Sequence, residues 1–195
     1  MSVPQQQLHM LWPENLLDAP LEARLPVGYR LRQFTPEDSA DYLALMHGAG
    51  FTGWDESTVA AWTLRVLPEG WFLIEHEATR ELVATAMVTH NPTELHPFGG
   101  ELGWVAGSSA HRGQGLGIAV CAAVVRRYLQ AGYRRIYLKT DDWRLPALKS
   151  YLKMGFEPFL YQWDMPERWE AVCRQLNWPC TPAQWPSIPY VAVQS

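Results

Sequence analysis

The stretch "HRGQGLGIAVCAAVVRRYLQAG" (111–132) restricts the fold more than any other part of the chain. After Gly117 the residues are almost wholly apolar for two turns. Arg126 and Arg127 then lie near the negative end of a helix dipole, and Gly132 stops the run. A helix with so little polar surface is buried on most sides, so the chain has to build layers around it. Gly113, Gly115 and Gly117 make a bare turn between that helix and the strand-like "ELGWVAG" (101–107).

The remaining periodicity supplies those layers. "GYRLRQF" (28–34) alternates as a first strand. Thr35 is a helix N-cap, Pro36 takes the first helical position and Asp38 completes a capping box, so a helix runs through 37–50. A second helix (55–67) starts at Asp55 and is stopped by Pro68 and Gly70. The apolar runs 70–77 and 81–90 read as a hairpin, and 101–107 is the fourth strand. Beyond the buried helix come a fifth strand (134–140), an amphipathic helix (144–154) and a sixth strand (155–163). The order β, αα, βββ, α, β, α, β predicts an α/β fold, a mixed sheet with helices on its faces.

Three segments are expected. Residues 1–26 hold four prolines and no clear period, and read as an irregular arm packing Leu11, Trp12, Leu16 and Leu17 onto the domain. Residues 27–164 form that domain, and 165–195 a helix (166–176) followed by a Trp- and Pro-rich tail. Trp169, Trp178 and Trp185 there suit a cap on the core or an interface, so a homodimer is one expectation.

With 195 residues, 48% of them apolar, the chain suits one core, and a net charge of -4 argues against nucleic acid or an anionic membrane as partner. Cys121, Cys173 and Cys180 follow no metal or disulfide spacing, so no metal is expected, and a reducing cytoplasm is the expected setting. No run approaches the roughly 20 apolar residues of a membrane span.

The glycine turn itself points to an anion. Main-chain N–H groups opening a helix have no intrahelical acceptor, glycine lets a ligand approach them, and Arg112 adds charge at the mouth. A phosphate or diphosphate is the natural guest; a tight strand-to-helix turn is the competing reading. No Lys-Ser or Lys-Thr follows, which removes a P-loop. A GxGxxG fingerprint fails at Ile118, although Asp141 stands near the place of a ribose-binding acid, so a dinucleotide-binding module stays as a lesser alternative.

"RGQGLG", with Arg112, Gly115 and Gly117 as [RQ]-x-x-G-x-[GA], "ELGWVAG" before it, and "IYLKT" and "ALKSYLKMGF" after it, resembles the GNAT superfamily of acyl-CoA-dependent N-acetyltransferases from residue 28 to about 163. The resemblance implies a mostly antiparallel sheet of six or seven strands that splays between the fourth and fifth. It implies acetyl-CoA as co-substrate, its diphosphate on Arg112, Gly113, Gln114, Gly115, Leu116 and Gly117, and its pantetheine arm along the backbone of Val105 and Gly107. Many members carry an asparagine where this chain has Arg144, which is expected to reach the cofactor or to pair with Asp141 or Asp142.

Direct transfer to an amine needs a base and a proton for the leaving thiolate. The resemblance offers Glu101 as the base and Tyr151 as the acid, with the Val105 or Gly107 N–H meeting the oxyanion. The expected function is transfer of an acetyl group from acetyl-CoA to a small-molecule amine or a peptide. The alternative is a non-catalytic acyl-CoA sensor. For the acceptor, Trp54, Asp55 and Glu56 are candidates, against an N-cap role for Asp55 and a core role for Trp54; His90 and His96 are alternative bases.

Overall fold

The computed structural model describes residues 6–19, 22 and 24–188. Seven strands form one sheet in the order β2-β3-β4-β5-β6-β1-β7. They are β1 (Leu8–Leu11), β2 (Tyr29–Gln33), β3 (Val66–His76), β4 (Leu82–His90), β5 (Gly100–Gly107), β6 (Ile136–Thr140) and β7 (Glu157–Phe159). The helices are α1 (Ser39–Gly48), α2 (Glu56–Thr63), α3 (Leu116–Gln130), α4 (Leu145–Met154) and α5 (Met165–Leu176). All strand pairs are antiparallel except β5–β6.

Two hydrophobic clusters lie on the two faces of the sheet. Tyr42, Met46, Trp54 and Val59 of the α1–α2 side pack on Trp71, Leu73 and Met87. On the other face α3 buries Val120, Val124 and Tyr128 against β3, β4 and β5, with Leu148 of α4 and Trp169 of α5 in the same core. The apolar α3 stretch is therefore inside, as its composition demands.

Three local expectations are corrected. Residues 8–11 do not belong to an irregular arm: "LHML" is a buried strand paired with β6 on one side and β7 on the other. With both faces covered, a short strand shows no alternation, which is why no period appears in the sequence. The second helix ends at Thr63, and Val66 already belongs to β3. Pro68 and Gly70 sit in a register shift between Val66 and Trp71, beyond the reach of β2, where a missing N–H is harmless. The last strand is shorter than 155–163 because Gly155 ends α4 and the β1 register spans only Glu157–Phe159.

The capping box at Thr35 and Asp38 forms as expected, and Arg32 grips Asp38 through two 2.7 Å bonds. Glu75, buried beside Arg30, Arg32 and Arg80, is held below the usual carboxylate range by those cations despite its burial. No helix among the described residues is long and apolar enough to cross a membrane.

What positions the site is the parting of β5 from β6. The two pair only at Gly100–Ile136 and Glu101–Tyr137 and then separate. Tyr128 pins the root of the gap: its hydroxyl accepts from the Thr89 N–H (2.7 Å) and lies 2.6 Å from the Glu101 carbonyl. Gly100 is bare so that this ring can lie against it, since a Cβ there would meet Tyr128 Cε1 at 2.2 Å.

Candidate functional site

Two cavities open into the gap and share Val105, Ala147 and Tyr151. The first, about 470 Å³, runs under the glycine turn and along α4. Its charged lining is Arg112, Lys149 and Lys153, with His111 at the mouth and no carboxylate. None of those three cations makes an ion pair among the described residues. In a chain of net charge -4 this is a local reversal of sign, suited to a polyanion.

The turn has the geometry that such a guest requires. Gly113 and Gly115 have φ of 81° and 76°, and Gly115 is the left-handed N-cap of α3. The first helical bond runs from the Ala119 N–H to the Gly115 carbonyl (3.0 Å), so Leu116, Gly117 and Ile118 carry the helix's free donors. At Gly117 φ is ordinary and a Cβ would meet nothing within 4 Å. Nothing in the protein itself therefore requires glycine at 117. Of 112–117, only Gln114 stays out of the groove lining.

Along β5 the Ser108 N–H bonds to the Val83 carbonyl (2.8 Å). Main-chain groups alternate sides along a strand, so Ala106 faces β4 while Val105 and Gly107 face the gap. Just before them Trp104 takes φ +52° at a register shift between Thr85 and Met87. A bulky residue in the left-handed region is strained by about 1–3 kcal/mol, and bulges re-aim side chains beside sites.

The second cavity, about 350 Å³, lies on the other side of Tyr151. Phe51, Trp62 and Trp104 form an aromatic wall backed by buried Trp54, whose ring stands 4.8 Å from that of Trp104. Facing it are Asn91, Glu101, Lys139, Asp141 and Arg144. Here the charges are paired: Lys139 Nζ is 3.2 Å from Glu101 and Arg144 Nε 3.0 Å from Asp141. The Arg144 guanidinium also lies over the rings of Phe51 (4.9 Å) and Trp143 (4.5 Å).

The sequence-expected residues sort as follows. Glu101 and Tyr151 come to one gap, Glu101 in the second cavity and Tyr151 at the junction. Tyr151 is buried, burial pushes its phenol well above the usual range, and its hydroxyl has no protein partner among the described residues. Arg144 lines the second cavity, not the glycine groove, and pairs with Asp141. Asp55 is an N-cap, accepting from the Thr58 N–H (2.8 Å) and lowered to about 2 chiefly by the Ser57 hydroxyl and by Thr58. Trp54 is core and Glu56 is exposed; Phe51 and Trp62 from the same segment face the cavity instead. His90 bonds to Tyr133 at the surface (2.8 Å). His96 is buried against His9 (2.8 Å), and burial lowers it to about 3 and His9 to about 4, so neither faces a substrate as a base.

Lys139, Asn91, Trp104, Lys149 and Lys153 escaped sequence reasoning. For Lys139 a signal existed: Tyr137, Lys139 and Asp141 alternate along β6 and its end, so they share a face. No group of three His, Cys, Asp or Glu that could hold a metal occurs among the described residues.

The model of the acetyltransferase (GNAT) family matches residues 32–156. A mycothiol acetyltransferase of Pseudarthrobacter chlorophenolicus is 29% identical over 152 residues, 74% of this chain and 46% of that protein. One from Saccharomonospora viridis is 30% identical over 146 residues, 69% of this chain and 47% of that protein. The chain thus spans about half the length of the curated relatives it matches. A GCN5-related N-acetyltransferase from Sphaerobacter thermophilus shares the fold at TM-score 0.59 and 20% identity, over 79% of this chain and 49% of that one. So does AAC(6')-Iy in complex with the bisubstrate analogue CoA-S-monomethyl-acetylneamine, at 0.55 and 16%, over 66% and 90%.

Proposed function

The chain belongs to the acetyltransferase (GNAT) family, and from that premise we propose that it transfers an acetyl group from acetyl-CoA directly to a primary amine. The observation that carries the reading is the junction at Val105, Ala147 and Tyr151. There a cationic, glycine-floored groove meets an aromatic cavity containing a carboxylate.

In this reading the free N–H groups of the α3 turn hold the diphosphate of coenzyme A, and Arg112, Lys149 and Lys153 offset its phosphates. The main chain of Val105 and Gly107 pairs with the pantetheine arm, satisfying strand groups that the parting of β6 leaves open. Glu101 takes a proton from the acceptor's ammonium, directly or through water. The amine nitrogen then bonds to the acyl carbon, the Val105 or Gly107 N–H meets the oxyanion, and the C–S bond breaks. Tyr151, kept protonated by its burial, donates its proton to the departing sulfur, the acylated nitrogen gives its second proton to solvent, and solvent returns one to Tyr151. The acceptor is a small-molecule amine or a peptide amine. A cytoplasmic setting belongs to the same proposal.

One observation favours a second reading, an acyl-CoA-binding protein without turnover: Glu101 is already paired with Lys139. The dinucleotide reading weakens because Asp141 lines the aromatic cavity rather than the glycine groove, and Arg144 and Gln7 occupy it. Isothermal titration with acetyl-CoA, coenzyme A and NAD, followed by thiol release over an amine panel, tests all three. We expect binding of the first two ligands and release with at least one amine. NAD binding alone, or binding without release, rejects the proposal. Tyr151→Phe should lower kcat about 10-fold while leaving acetyl-CoA affinity in place; full turnover removes Tyr151 from the mechanism.

A further inference from the structure

The second cavity holds two carboxylates whose four oxygens are unequally engaged. Asp141 has a protein donor on each oxygen: Gln7 Nε2 donates to Oδ1 (3.0 Å) and Arg144 Nε to Oδ2 (3.0 Å). At Glu101 the contacts converge on a single oxygen. Asn91 Nδ2 donates to Oε2, and Lys139 Nζ stands 3.2 Å from the same atom. The Tyr137 hydroxyl lies 3.3 Å from Oε2 but has one proton, which the 2.6 Å contact with the Asn91 carbonyl takes; Tyr137 therefore braces Asn91, and Asn91 holds Glu101. No protein group among the described residues donates to Oε1.

The topology makes this clamp rigid. Glu101 and Tyr137 are the last register pair before β5 and β6 part, and Lys139 stands two residues further on the same face. Tyr137 is buried and stacks on His96 at 3.8 Å between ring centroids. The pairing of charges also matters. With Lys139 against Glu101 and Arg144 against Asp141, the lining carries no net charge, and one carboxylate oxygen lacks a donor.

We infer that Asn91, Tyr137 and Lys139 are positioning residues that hold Glu101 by Oε2 and leave Oε1 as the docking atom for the ammonium of a mono-cationic acceptor. This rests on the acetyl-transfer reading above. Every other carboxylate oxygen in this cavity already carries a protein donor and would hold a second ammonium less well, while an apolar or ring-shaped body has Phe51, Trp62 and Trp104 to pack on. The substrate class is thus a monoamine with a stackable body, rather than a polyamine.

The test is steady-state coenzyme A release with a panel of monoamines plus spermidine, followed by a double-mutant cycle on the best acceptor. Glu101→Gln should lower kcat/KM for the amine about 100-fold and Lys139→Met about 10-fold, with the KM for acetyl-CoA unmoved. On the Glu101→Gln background, Lys139→Met should bring no further loss, because its effect passes through Glu101. Lys139→Arg should restore most of the rate. Tyr137→Phe keeps the stack on His96 and serves as the second probe of the cycle should Lys139→Met fold poorly; about 3-fold is expected. An undiminished Lys139→Met or Tyr137→Phe loss on the Glu101→Gln background overturns the inference, as does spermidine ranking first. Turnover by the wild type with such additive losses sinks this inference alone. A wild type that binds acetyl-CoA yet discharges no amine sinks the parent reading and this one with it.

Discussion

The two cavities that meet at Tyr151 are built by opposite means. The glycine groove takes its donors from consecutive main-chain groups at the head of α3 and its charge from cations left without partners. The aromatic cavity takes its groups from the β1 end, the α1–α2 segment, the loop after β4, β5 and the β6–α4 turn, and pairs each cation with a carboxylate. In the proposed reading a polyanion meets the free donors of one turn, which local sequence supplies, with Lys149 and Lys153 added from α4. A single amine has to be oriented among side chains that satisfy one another, which only distant segments brought together can supply.

The sharpest break between the two comes from Gly117→Val. The α3 backbone accepts a side chain there, since φ is ordinary and the space is open. We expect an unchanged thermal midpoint and an acetyl-CoA affinity weaker by about 100-fold in isothermal titration, as the valine fills the space the ligand needs. Normal binding would detach the turn from the cofactor. The counterpart on the acceptor side is Gly100→Ala, whose Cβ displaces Tyr128 from the root of the gap. Denaturant unfolding should show a loss of about 2 kcal/mol. The amine KM should rise more than the acetyl-CoA KM, and equal rises would mean that the two cavities are not independent.

A third difference lies in acid sensitivity. Behind Glu101 the buried His9 and His96 are lowered to about 4 and about 3 by burial, and cations nearby push the same way. Below pH 6.5 the unfolded imidazoles take up protons that the folded ones refuse, so stability present at neutral pH is lost as the pH falls. His9→Gln should remove about 1 kcal/mol of the decline between about pH 7 and about pH 5.5, read from denaturation midpoints. The smallest expected effect is of salt. From about 0.05 to about 0.3 M, acetyl-CoA affinity should weaken about 3-fold while the amine KM stays nearly level. Lys149→Gln and Lys153→Gln should each flatten that dependence, and an equal salt response of both ligands would contradict the charge contrast.

Much of the fold was legible because its signals are local. The capping box at Thr35 and Asp38, the apolar α3 and the β3–β4 hairpin each rest on spacings of a few residues. β1 was not, because a strand with partners on both sides and cover on both faces loses the alternation that marks a strand. The site divides the same way. Gly113, Gly115 and Gly117 mark the bare turn by their lack of side chains. Phe51 and Trp62 had to be distinguished from Trp54 by which ring faces a cavity, and that is set by the packing of all three around Trp104. Arg144 reads from the sequence either as a cofactor contact or as a partner of Asp141 or Asp142, and the structure shows it paired with Asp141 and lying over Phe51.

The sequence by itself determined the layer order, the buried α3 and the bare glycine turn that opens it, since caps, glycines and apolar periods act over a few residues. Only the tertiary structure decided that β1 enters the sheet, that Lys149 and Lys153 join Arg112 in one groove, and that Asn91, Tyr137 and Lys139 meet at one oxygen of Glu101. Those contacts join residues dozens of positions apart, and their existence depends on strand register and on where β5 leaves β6, which no local spacing encodes.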